Sequence, residues 1–154
     1  MIRVVLAVVV TAALVGLATP AIEAGATAAS EQRVERQIGV IEAAAVDLYT
    51  REAIAPEGNE RARRVRSLRF PSRGLASRPL TAFRIDGGAD GPGSRVRYRI
   101  AGGTATTVRL DAPVVDPDGG PVDLGAVSGE QTVVLALDRT PSGRRVVRLS
   151  RGGP

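Results

Sequence analysis

The sequence predicts an α+β fold: a long N-terminal helix, apolar and then amphipathic, followed by a small antiparallel β-sheet or sandwich domain. Three observations predict it. Residues 4–22 carry no charge. Residues 31–51 place apolar side chains at helical spacing among charged ones. From residue 61 the period changes to two, with Gly, Pro and Asp clustered between short runs of Val, Leu and Ile. The division is 1–28 for a membrane anchor or signal segment, 29–55 for an amphipathic helix and 60–150 for the β domain.

The first segment supports two readings. Arg3 is a minimal positive start, and residues 4–18 are an apolar run. As a cleaved secretory signal, it has small residues at Ala26-Thr27-Ala28 before a cleavage point and Pro20 ahead of them to break the helix. As a retained helix, residues 4–22 at about 1.5 Å each roughly match a hydrocarbon core of about 30 Å. Glu23, lying between Pro20 and the cleavage point, favours retention. Arg3 then stays inside and the body lies outside. Ala12 and Gly16 are a small-x-x-x-small pair of the kind that lets helices approach closely, in a chain rich in both residues.

Ser30 is a candidate N-cap for the second helix, with Glu31 suited to its first turn. Val34, Ile38, Ile41, Ala45 and Leu48 then recur at spacings that alternate between four and three. That is a helix-packing seam two heptads long. It fits either packing on the β domain or self-association. Gly25 is a candidate break between anchor and seam. Pro56 and the Gly58-Asn59 turn end the helix.

Strands are expected at 63–70, 80–86, 95–100, 106–110, 131–138 and 144–149, six or seven in all. Residues 95–100 alternate most cleanly: Val96, Tyr98 and Ile100 face a core, and Arg95, Arg97 and Arg99 face water. Gly102-Gly103 turns the chain into the next strand. Asp116-Pro117-Asp118-Gly119-Gly120 is a strong turn signal. Thr140 to Gly143 closes a C-terminal hairpin. The Gly152-Gly153-Pro154 tail is expected to fray.

Composition narrows the chemistry. The chain has no His and no Cys, and all 21 basic residues are Arg. Disulfides, thiol nucleophiles, imidazole bases and the common zinc ligand sets are therefore absent. Asp116 and Asp118, with Asp111 and Asp123 nearby, lack the remaining positions of a calcium loop and read as a turn. The Gly-rich stretch 87–93 lacks the Lys and the following helix of a phosphate loop. Nothing brings two carboxylates together for acid–base work. No enzyme, cofactor or metal site is expected. The sharpest surface feature is a candidate anion-binding face at Arg95, Arg97 and Arg99, with Arg109 and Arg144 or Arg148 on neighbouring strands. The formal net charge of +5 suits an anionic partner. Nucleic acid is not the expected one, because stacking aromatics are scarce.

The start MIRVVLAVVVTAALVGLATPAIEA, the helix at 31–51 and the β body together resemble the pilin and pseudopilin layout. The chain also resembles small uncharacterised exported proteins of halophilic archaea, which share this start and an Arg-rich, Lys-free, Cys-free composition. The resemblance implies a single-pass, membrane-anchored envelope protein with its C-terminal domain outside. Such a protein acts by contact with other envelope or pilus-like assembly proteins. The alternative expectation is a cleaved, secreted β domain that binds anions through the Arg face.

Overall fold

The computed structural model describes residues 2–53, 62–74, 76–87 and 91–152, and within the helix the side chains of 4–13 and 22–51. The turn expected at 56–59, part of the Gly-rich connection at 88–90 and the tail at 153–154 lie outside them. The fold is α+β. Helix α1 (Ile2–Arg51) is followed by β1 (Arg63–Phe70), β2 (Leu80–Gly87), β3 (Ser94–Ile100), β4 (Ala105–Leu110), β5 (Val114–Val115), β6 (Val122–Asp123), β7 (Gly129–Arg139) and β8 (Arg145–Arg151). Among the described residues no helix is long and apolar enough to cross a membrane.

The strands form two four-stranded sheets, ordered β1-β7-β8-β5 and β4-β3-β2-β6. The alternation legible in the sequence produces them. Along β3 every second side chain is buried, with Val96, Tyr98 and Ile100 inward and the three arginines outward. On the other sheet Val133, Leu135 and Leu137 of β7 face inward with Val147 and Leu149 of β8. These inner faces form one core together with Phe83, Ile85, Leu68 and Phe70. Phe70 and Phe83 meet edge to face at 5.4 Å.

One expectation about the sheets is corrected. The body is not purely antiparallel: β5 runs parallel to β8, pairing Val114 with Val147. The expected turn at 116–120 carries the chain from β5 in one sheet to β6, which pairs with β2 in the other. Ser94 ties this corner together. Its buried hydroxyl donates to the Ala112 carbonyl at 3.0 Å and accepts from the Val114 N–H at 2.7 Å. Gly87 lies against the same segment, where a Cβ would overlap the Val114 carbonyl.

The helix closes the open side between the sheets, touching β1, β7 and β8 on one hand and β3 on the other. Val34, Ile38, Ile41, Ala45 and Leu48 are all buried there. Ser30 is not an N-cap, and Gly25 is not a break: both lie inside α1. Ser30 is fully buried, its hydroxyl bonded to the Ala26 carbonyl of the preceding turn at 2.8 Å. It accepts the Arg78 N–H at 2.8 Å. Within a continuous helix the N–H groups that follow residue 30 bond to carbonyls of the preceding turn, so no cap is needed at that point.

Candidate functional site

Two surfaces stand out, one on the helix and one on the outer face of the β4-β3-β2-β6 sheet. The helical surface is apolar on every side. Val4, Val5, Leu6, Val8, Val9 and Val10 are each roughly half to two-thirds exposed, as is Ile22. At 3.6 residues per turn these positions point in all directions around the axis. The contrast with the C-terminal half is sharp, because there only one stripe is apolar and that stripe is buried.

The boundary between the halves is at residues 23–30. Glu23 pairs with Arg78 at 3.4 Å. Ala26 is buried. Further along, polar groups fix the helix against the body. Gln37 accepts the Arg69 N–H at 3.0 Å. Arg64 reaches Asp47 at 3.2 Å and Glu52 at 2.5 Å, and hydrogen bonding to Glu52 and then Asp47 raises its pKa. Arg145 lies 5.6 Å over the Tyr49 ring and donates to the Glu52 carbonyl at 2.6 Å.

Among the described residues Tyr98 is the one buried titratable side chain at this junction. Its hydroxyl donates to Glu35 at 3.4 Å. Burial, then the negative charge of Glu35, pushes its pKa up to about 12. A neutral phenol held this way is a positioning contact between sheet and helix.

On the sheet, Arg95, Arg97 and Arg99 are exposed on one face. The register adds Arg109 beside Arg95 from β4 and Arg84 beside Arg97 from β2. Arg144 and Arg148 do not join them. They belong to the β8 side of the molecule, in the other sheet, and Arg148 is paired with Asp138 at 2.6 Å. Arg84 was legible from the alternation of Phe83 and Ile85 but does not stand out among so many arginines. Among the described residues two carboxylates on this face turn to Arg84: Asp86 at 2.7 Å and Asp123 at 3.4 Å. Hydrogen bonding to Asp86 raises the Arg84 pKa. A cleft of about 550 Å³ opens at the end of this face, lined by Asp86, Gly87, Gly93, Arg95, Arg109 and Pro121.

The Asp116 carboxylate is occupied by its own turn, accepting the N–H groups of Asp118 at 2.9 Å and Gly120 at 2.6 Å. Among the described residues no group of three acids is placed to hold a metal ion. No curated protein and no solved structure matches the chain. Residues 1–152 match the family described as Domain of unknown function (DUF7311). With nearly its whole length covered by that match, the chain belongs to this family.

Proposed function

We propose a non-enzymatic, membrane-anchored envelope protein of pilin-like layout, acting by assembly or contact with other surface proteins. One observation carries the reading: α1 exposes Val and Leu side chains on all sides over residues 4–10. A helix apolar all round needs an apolar surrounding, either a bilayer or other helices. The sequence extends that uncharged character to residue 22, enough for about 30 Å of helix. The next residue, Glu23, contacts the body. Anchor and body are therefore coupled without a flexible linker, which suits a protein that transmits position from the membrane to a surface assembly.

The first test is the N-terminus and location of the protein in its host, by intact mass after separating membrane from soluble fractions. A chain beginning at residue 1 or 2 in the membrane pellet is the expected result. A chain beginning near residue 29 in the soluble or culture fraction would overturn the anchor and leave a secreted β domain.

A further inference from the structure

The Arg face lies outside the anchoring reading and does not depend on it. On the outer surface of the β4-β3-β2-β6 sheet the register builds a grid. Arg109, Arg95 and Asp86 form one row. Thr107, Arg97, Arg84 and Asp123 form the next. Ala105, Arg99 and Ala82 form the third. Alternate residues on a strand lie about 7 Å apart and neighbouring strands about 5 Å apart. Arg95, Arg97 and Arg99 therefore make a straight row about 13 Å long, with Arg109 beside one end.

Like charges directly opposite on neighbouring strands oppose pairing. This face has two such pairs, Arg95 with Arg109 and Arg97 with Arg84. The fold relieves only one member. Asp86 stands opposite Arg95 in register, yet its carboxylate is hydrogen-bonded to Arg84, which Asp123 also contacts. Among the described residues Arg95, Arg97, Arg99 and Arg109 make no ion pair. Some arginines elsewhere on the body are matched, Arg64 by Asp47 and Glu52 and Arg148 by Asp138; what sets this face apart is the row that the register builds.

We propose that the Arg95, Arg97, Arg99 and Arg109 face binds a linear, carboxylate-bearing polysaccharide. Guanidinium forks take carboxylates in a planar, two-point geometry. A row of cations along a strand fits a chain with repeating anions better than one small anion, which the cleft beside Arg95 and Arg109 would hold without using Arg97 or Arg99. The face offers no ring for a base to stack on, because Tyr98 and Phe83 both point into the core. That separates it from single-strand nucleic-acid surfaces, where aromatic platforms accompany the basic groove.

The test uses the full chain in mild detergent and labelled polygalacturonate as the probe, titrated at several salt concentrations. Binding is expected that weakens steeply with salt. Replacing Arg95, Arg97 and Arg99 together by Ser should weaken it by roughly tenfold or more, with little change in thermal unfolding because all three are exposed. Replacing Arg33, Arg36 and Arg73 by Ser removes the same charge elsewhere on the surface and should change binding by no more than about twofold. Equal losses from the two triple variants would reduce the effect to net charge and overturn the site. Tighter binding of single-stranded DNA or of anionic vesicles than of polygalacturonate would overturn the polysaccharide assignment. So would absence of binding at low salt.

Discussion

Tyr98 joins three levels of the molecule in one side chain. It belongs to the alternating pattern of β3, it fills the core, and its hydroxyl meets Glu35 of the helix. The phenol is favoured in its neutral form, with its pKa raised from 10 to about 12, chiefly by burial and then by Glu35. The sign of the linkage follows. Below about pH 10 the phenol is neutral in both folded and unfolded chains and contributes no pH dependence. Above it the unfolded chain loses the proton while the folded chain keeps it, so stability falls as pH rises towards 12. The loss should be on the order of 2 kcal/mol over that window. Urea unfolding of the wild type and of Tyr98→Phe at about pH 9 and about pH 11 reads roughly the first half of it. The variant should show a shallower fall. Equal falls in both proteins would mean that the phenol is hydrated or ionised in the folded state.

The helix shows what a sequence pattern can and cannot state. The seam at Val34, Ile38, Ile41, Ala45 and Leu48 was visible because apolar spacing at 3.6 residues needs only the chain itself. Arg95 to Ile100 was visible for the same reason at period two. Ser30 reads as a helix start from sequence because a serine ahead of an apolar stripe is the usual signature of one, yet it lies inside α1. Its actual role, accepting the backbone N–H of Arg78, depends on a loop 48 residues away. The parallel pairing of β5 was equally hidden. Two valines carry too little pattern to reveal which sheet they join, and Ser94 and Gly87 hold that corner through contacts distant in sequence. Arg109 is legible beside Arg95 because its strand follows directly in the chain, but the grouping of Arg84 with Arg97 is a property of register, which one sequence does not print. Burial of the seam sets a prediction at this scale. Ile41→Ala removes a fully buried side chain between helix and sheets and should cost about 2–4 kcal/mol in chemical unfolding of the detergent-solubilised chain. Val9→Ala, on the exposed part of the same helix, should leave unfolding of the body within about 0.5 kcal/mol. Similar losses at both positions would mean that the helix unfolds with the body along its whole length.

Across the whole molecule, the decisive region is the short segment where helix and body first meet. A cleavage after Ala28 would cut through it. Upstream of that point Ala26 is buried, its carbonyl accepts the Ser30 hydroxyl, and Glu23 pairs with Arg78. Downstream lie Ser30 and the seam. The fold thus uses residues on both sides of the proposed cleavage point, which favours retention. Two shortened chains separate the contributions. One starting at residue 22 keeps every contact with the body that the described side chains make and loses the exposed apolar stretch. It should dissolve without detergent and unfold at the same denaturant midpoint as the full chain. One starting at residue 29 loses the Glu23 pair, the buried Ala26 and the first helical turn beneath Ser30. The pair is exposed and contributes at most about 1 kcal/mol. The buried alanine and the Ser30 bond add a similar amount, so the expected deficit is roughly 1–2 kcal/mol. The seam remains, and the domain should still fold. Equal stability of the two chains would show that residues 22–28 do not contribute to the body. Helix continuity through residue 28 would then offer no argument against cleavage, and the anchored reading would rest on the apolar residues alone.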